Sequence, residues 1–292
     1  MRLTGTLAVV VSLFWATHAQ AEWVDWISDA ELALQTTDNL NLSAFSADRE
    51  DDTSLHGVLR GGRVYQLADR TRLRIVGVGV GEHYEHWDKL DAAGIGGELG
   101  VRHKFGVGGA PWLDFAFTGS YRWVERSQRS GRRFQVGVRS GKRFSPRIDG
   151  SFGYSYTDRD GDSGPAAAPL LPTNVFDQSY HLLDLTGNFL LLDPLLLTAG
   201  YTLRLGEFDS ACTVGNVNRV FQKADVKAIS LDPVFGGCVY RLEGNAHAAR
   251  INLSYGFNAH LSFDASYRYQ WGEADSLTYR ANTGRLTLVF RY

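Results

Sequence analysis

Apolar and polar residues alternate with a period of two along most of the chain. From Leu113 the odd positions read Leu113, Phe115, Phe117, Gly119, Tyr121 and Trp123, and the even ones Asp114, Ala116, Thr118, Ser120 and Arg122. Successive side chains of a strand point to opposite faces, so this segment predicts a strand with one oily and one wet face. The pattern recurs. Leu197, Ala199, Tyr201, Leu203 and Leu205 oppose Thr198, Gly200, Thr202 and Arg204, and Ile251, Leu253, Tyr255 and Phe257 oppose Arg250, Asn252, Ser254 and Gly256. Twelve strands are predicted, over 29–38, 55–67, 72–84, 93–105, 113–125, 132–144, 149–158, 179–191, 196–208, 246–257, 261–271 and 283–292. Most reach the roughly 9–11 residues that a tilted strand needs to cross a bilayer. In the third, the apolar parity switches between Ile75 and Val76, which predicts a bulge.

The connections separate a membrane barrel from a soluble sandwich. Short turns follow most even strands, as at Ala68-Asp69-Arg70-Thr71, Ser145-Pro146-Arg147-Ile148 and Asn258-Ala259-His260. Longer polar segments follow most odd ones: 39–54, 85–92, 159–178, 209–245 and 272–282. Short turns at one end and long loops at the other are the topology of outer-membrane barrels. Tyr121, Trp123, Tyr269 and Trp271 fall at outer strand ends, and Phe105, Phe144, Phe257 and Tyr292 at inner ends, where lipid interfaces favour aromatic rings. The fold class is therefore all-β, a transmembrane antiparallel β-barrel of about twelve strands.

The N-terminus supports that compartment. Arg2, the apolar run Leu7 to Trp15 and the small residues of Ala19-Gln20-Ala21 have the order of a signal peptide, with cleavage expected before Glu22. This divides the chain into a signal peptide, 1–21, and a barrel, 22–292. The rival, an uncleaved anchor, would need an apolar span of about 20 residues. Composition agrees with many strands and tight turns: Gly 32, Tyr 13, Phe 16, Trp 7 and a single Met. A formal net charge of −2 gives no sign of a nucleic-acid partner.

Leu286, Leu288, Phe290 and Tyr292 close the chain with alternating apolar residues and a terminal aromatic. This resembles the C-terminal signature of Gram-negative outer-membrane proteins. The resemblance implies a place in the cell outer membrane among its lipid and lipopolysaccharide, and recognition of the last strand by the barrel-assembly machinery. It is one of architecture and names no specific family.

Cys212 and Cys238 stand alone in an oxidising compartment, which favours a disulfide over two free thiols. A bridge closing a loop of that size restricts the unfolded chain by about 3.5 kcal/mol on the entropy model. The strand count has two readings here. Val226 to Leu231 and Cys238 to Leu242 can form a further pair around Asp232-Pro233, giving fourteen strands with Cys238 near the inner side. The other reading keeps twelve, with a disulfide-pinned outer loop.

With the oily faces turned outward, Arg102, Lys104, Arg122, Arg133, Arg139, Arg143, Arg204, Arg250, Arg268, Arg285 and Arg291 take inward parity, with Arg72 and Arg74 added by the irregular third strand. Inward acids are fewer: Glu31, Glu98, Asp114, Asp184 and Asp264. A cationic wall in a narrow bore concentrates anions. In strand number and lumen charge the chain is similar to twelve-stranded channels for acidic oligosaccharides, although its loops are longer. The expected function is a passive, anion-preferring pore for small acidic solutes or oligosaccharides. The alternative is a non-conducting barrel, its arginines tied to the acids, that contacts envelope polysaccharide or partner proteins through its outer loops. Neither reading calls for a cofactor or for catalysis. Outer-membrane barrel lipases share the strand number, but their His-x-Ser-Asn-Gly pattern is missing; His260-Leu261-Ser262-Phe263-Asp264 resembles it only superficially. Two acidic clusters remain. Glu82, His83, Glu85, His86, Asp88 and Asp91 make either a metal site or a solvated loop, and Asp158, Asp160 and Asp162 resemble the start of a calcium loop, without its Gly or closing Glu.

Overall fold

The computed structural model describes residues 22–168 and 171–292; the expected signal peptide lies outside them. Alternation becomes an antiparallel meander of β1 (Glu22–Thr37), β2 (Asp52–Ala68), β3 (Thr71–Tyr84), β4 (Ala92–Lys104), β5 (Trp112–Val124), β6 (Gly131–Ser145), β7 (Ile148–Gly161), β8 (Gln178–Leu192) and β9 (Leu195–Cys212). A short helix, α1 (Val217–Lys223), and a short strand, β10 (Ala228–Asp232), precede β11 (Gly237–Gly256), β12 (Leu261–Ala274) and β13 (Leu277–Arg291). β1 pairs with β13 and β9 with β11, so β1 to β9 and β11 to β13 close a ring of twelve. Closure leaves no free strand edge in the apolar zone, the condition for a sheet to cross a membrane.

The oily faces look out. Leu59 is 66% exposed and Ile95 61%, and Phe115, Phe117, Val136, Leu185, Ile251, Tyr267 and Leu286 share the same belt. Aromatic residues gather at its edges. Tyr121 lies 4.9 Å from Trp123 and Tyr269 5.5 Å from Trp271 at the outer edge, and Tyr255 lies 5.2 Å from Phe257 at the inner one. No helix among the described residues is long and apolar enough to cross a membrane; the strands take that role.

Several expectations need correction. The parity switch in β3 is not a bulge: Ile75 pairs with Arg63 and Val76 with Gly62 in unbroken register. Val76 is buried and Val78 and Val80 line the interior, so here the apolar residues themselves turn inward, and Gly77, Gly79 and Gly81 take the outer face. Strands also run further outward than the sequence suggests. β9 reaches Cys212, β11 starts at Gly237, and the expected loop over 272–282 is a tight turn at Asp275 and Ser276. β10 does pair with the start of β11, Ala228 opposite Arg241 through Asp232 opposite Gly237, as the fourteen-strand reading required. It does so beyond the ring, because β11 continues unbroken from Gly237 down to Gly256. β7 carries Asp158 and Asp160 within a strand, so they start no calcium loop, and Arg159 between them turns inward.

Candidate functional site

Below the outer rim the interior is polar. A cavity of about 860 Å³ is lined by Arg102, Arg133, Arg139, Arg204, Arg250 and Arg268, and the carboxylates lining it, among the described residues, are Asp149 and Asp184. Both acids are already engaged: Asp149 accepts from Asn188 Nδ2 at 2.7 Å and Asp184 from Thr202 Oγ1 at 2.7 Å. Arg122 lines a second chamber nearer the outer end. Arg285 donates through Nε to Thr287 Oγ1 at 3.3 Å on its own strand. Lys104, Arg143 and Arg291 sit at or beside the inner ends of β4, β6 and β13 and line neither chamber.

The two sides of the lumen differ in how their charge is met. On β3 to β5, Arg74 donates to Glu98 at 2.6 Å and, as a two-pronged fork, to both oxygens of Asp114 at 2.9 and 3.0 Å. Arg102 reaches the same carboxylate at 2.8 Å, and its guanidinium lies 4.3 Å over the Trp112 ring near the inner end. Gly100 makes room for this arrangement, because a Cβ there would stand 2.7 Å from Arg74 Nη2. Arg122 binds Glu82 at 2.6 Å, and Arg60 pairs with Glu31. Charge-assisted forks of this kind are the stronger class of side-chain hydrogen bond.

Beyond that cluster, other arginines stand without an ion pair. Among the described residues Arg139, beside the cluster on β6 in register with Asp114, and Arg250 and Arg268, on β11 and β12 across the bore, form none, although all three line the cavity. Arg250 and Arg268 are direct cross-strand partners. Like charges set directly opposite are destabilising on a sheet, so this placement is retained against a cost. Arg204 and Arg133 flank Tyr180, 3.6 and 6.0 Å from its ring centroid.

The outer mouth is covered. The segment between β9 and β11 meets every other outer loop. Asn216 and Thr213 bind Asp48, at 2.7 and 3.1 Å, and Lys89 Nζ reaches the Pro233 carbonyl at 3.2 Å. Arg129 binds Asp232 at 2.7 Å, the Leu231 amide donates to the Pro165 carbonyl at 2.9 Å, and the Ser276 amide donates to Lys223 at 3.1 Å. The β3–β4 loop that carries Lys89 lies half the ring away from β9 and β11, so the segment spans the mouth. A dry core holds this cap: Phe45, Phe208, Val220, Ile229, Tyr240, Leu242, Leu277 and Tyr279 are all buried together. Cys212 and Cys238 are register partners within it and form the expected disulfide, their Cα atoms 5.1 Å apart.

No protein-family model matches the chain, and no curated protein does. Solved structures do. An outer membrane channel from Pseudomonas putida F1 superimposes with a TM-score of 0.57 at 13% identity, over 95% of this chain and 99% of that one. The NanC porin matches with a TM-score of 0.51 at 8% identity, over 90% and 100%. The chain is an outer-membrane β-barrel, by this fold and by its apolar belt.

The acidic clusters resolve into local pairs. His83 bonds Asp91 at 2.6 Å and His86 bonds Asp52 at 3.0 Å, so the two imidazoles serve different carboxylates. Asp52, Glu85 and His86 do converge, but Asp52 is buried and already accepts the amides of Thr53, His86 and Trp87. The side-chain hydrogen bond between the His86 ring and Asp52 raises the His86 pKa above its ordinary value. Sequence reasoning missed Arg129, Arg159, Trp112 and Tyr180 as interior residues, and grouped Glu82 with the second outer loop, although it falls within the expected strand 72–84 and faces Arg122 inside. Arg159 was legible in principle by carrying the alternation a few residues further along β7, and Glu82 by keeping the parity of Arg72 and Arg74 along β3. Arg129 lies in a loop and had no such signal.

Proposed function

We propose that the chain is a passive, anion-preferring pore of the outer membrane for small acidic solutes or oligosaccharides, without enzymatic activity. The observation that carries this reading is the bare wall. Arg139, Arg250 and Arg268 face an 860 Å³ cavity with no carboxylate partner among the described residues. A structural filling would pair such charges, as β3 to β5 do; an open pair of opposed guanidiniums instead offers a two-point seat to a carboxylate. At a few Å, attraction to an anion is worth roughly 4 kcal/mol at an effective dielectric near 20, against about 1 in bulk water. The lipid belt meets membrane lipid and lipopolysaccharide, and the last strand, ending Phe290 and Tyr292, is what the assembly machinery engages. The cap favours a second reading, a non-conducting barrel whose outer loops contact polysaccharide or partner proteins.

Planar-bilayer recording of the purified protein in a salt gradient separates the two. The pore reading expects discrete conductance steps and a zero-current potential on the anion side, the preference weakening at high salt as the arginines are screened. A silent bilayer under all voltages supports the second reading.

A further inference from the structure

The cap and the cationic interior meet at one residue. Beneath the cap lies a chamber of about 390 Å³, lined among others by Arg122, Arg129, Arg133, Arg159, Arg204 and Asp209. Arg122 is neutralised by Glu82, and Asp209 accepts from Gln178 Nε2 at 2.6 Å. Arg133, Arg159 and Arg204 have no carboxylate partner among the described residues. The guanidiniums here are also short of acceptors: the Nε–H groups of Arg122, Arg129 and Arg204 are buried without one. Orphaned charged donors inside a barrel are costly unless something supplies the missing oxygens.

Arg129 belongs to both structures. It lines this chamber, and its Nη2 holds Asp232 at the end of β10, whose carboxylate is fully buried. Arg159 Nη2 donates to the Arg129 backbone carbonyl at 3.0 Å, and the two guanidiniums share the Phe176 ring, at 4.8 and 5.2 Å from its centroid. Movement of Arg129 toward the chamber would therefore take the β10 arm's ion-pair partner away from it, leaving the Asp232 carboxylate unpaired.

We propose that this chamber is a binding site for a small polycarboxylate and that its occupancy unlatches the cap. The incoming carboxylates bind Arg133, Arg159 and Arg204 and compete with Asp232 for Arg129. The pore closes on an empty chamber and loosens on a filled one. This rests on the anion-pore reading and adds to it a ligand-operated gate.

Competition of this kind is reciprocal: whatever releases Asp232 must tighten the ligand, and the ligand must loosen the cap. The test uses the whole purified barrel in detergent with citrate as probe and inorganic phosphate as a second anion. Calorimetry should show citrate binding that weakens at least tenfold in the double variant Arg159→Gln, Arg204→Gln, and tightens about fivefold or more in Asp232→Asn. In Arg129→Gln the further Asp232→Asn change should have no effect on affinity. Citrate should also speed tryptic cutting of the cap after Lys223 and Lys227, read on reducing gels. Heat-shifted gel migration establishes that each variant is a folded barrel, and if the double variant does not fold, the single variants Arg159→Gln and Arg204→Gln, each expected to weaken citrate binding at least threefold, replace it. Binding of phosphate as tight as citrate would overturn the polycarboxylate assignment. Equal citrate affinity in wild type and Asp232→Asn, or cutting indifferent to citrate, would overturn the latch. An anion-side zero-current potential alongside either failure leaves the pore reading standing, whereas a cation-side one removes both.

Discussion

On β9, β11 and β13 a single inward face carries two chemistries. Within the apolar zone it presents Arg204, Arg250 and Arg285; a few residues further out the same parity presents Phe208, Cys212, Tyr240, Leu242, Leu277 and Tyr279, all buried. The strand geometry is continuous, and only what stands opposite differs: an open polar cavity below, the cap above. The inner face of a barrel is thus a polar wall where the bore is open, and a core where a loop is folded into it. On the proposed pore function, the boundary between the two sets whether the mouth is open.

Emptying the dry part should have the largest effect. Leu242 is fully buried in the cap core, and Leu242→Ala should cost the cap about 2–5 kcal/mol through lost contacts and a cavity. Conductance should rise, while the heat resistance of the barrel on a gel stays unchanged, because the lipid belt and ring closure are untouched. Equal conductance before and after would mean that the cap is not what blocks the mouth.

This boundary also explains what was readable in the sequence. The barrel class and the strand centres were legible because lipid-facing apolar residues and inward polar ones alternate cleanly there, and the disulfide because only two cysteines stand in an oxidising compartment. The rule that apolar means outward fails at Tyr240 and Leu242, and at Leu277 and Tyr279, where apolar residues face a core. Strands written in that inverted sense read as loop, which hides both the length of β11 and the tight turn at Asp275. Val76, Val78 and Val80 inverted the rule again within β3, giving a false bulge. The arginines were legible by parity alone, but their pairing was not. Which of them meets a carboxylate depends on register between strands, as with Arg102 opposite Asp114 and Arg250 opposite Arg268.

The disulfide tests the same region more gently. Reduction, or replacement of both cysteines by serine, releases a constraint worth about 3.5 kcal/mol on the entropy model. The cap should become more susceptible to protease before the barrel does, measured as cutting within 213–236 at temperatures where the ring still resists heat. Simultaneous loss of both would show that cap and ring unfold as one unit.

The two walls of the lumen offer a further contrast. Asp114→Asn removes the carboxylate that holds Arg74 and Arg102, leaving two guanidiniums without their shared partner, a loss of about 1–3 kcal/mol. Thermal unfolding in detergent should shift downward by several degrees. Arg250→Gln, across the bore, breaks no ion pair among the described residues, relieves the like charge of Arg268 opposite it, and should leave the transition in place or raise it slightly.

The smallest effect is a pH dependence of the cap. His86, exposed in the β3–β4 loop, has its pKa raised mainly by the hydrogen bond to Asp52, with Glu85 and Asp51 adding to it. The loop places Trp87 4.8 Å from Phe235 of the cap. A raised folded-state value means that the stabilisation is complete below the unfolded pKa near 6.5 and is lost as pH rises through the folded one. Hydrogen exchange in residues 85–91 should therefore be slower at pH 6 than at pH 8 after correction for the intrinsic rate, and His86→Gln should abolish the difference.

We expect the arginines without a carboxylate partner, not the paired ones, to set what the lumen admits. The direct measurement is the zero-current potential in a salt gradient of Arg250→Gln, Arg268→Gln, compared with that of the charge-neutral double variant Arg74→Gln, Glu98→Gln, each recorded on barrels with normal heat-shifted migration. The first variant should move from anion preference toward cation preference and the second far less, since Arg74 and Glu98 already neutralise each other and their joint removal leaves the net charge of the wall unchanged. An unchanged potential in the Arg250, Arg268 variant, with conduction intact, would contradict that expectation.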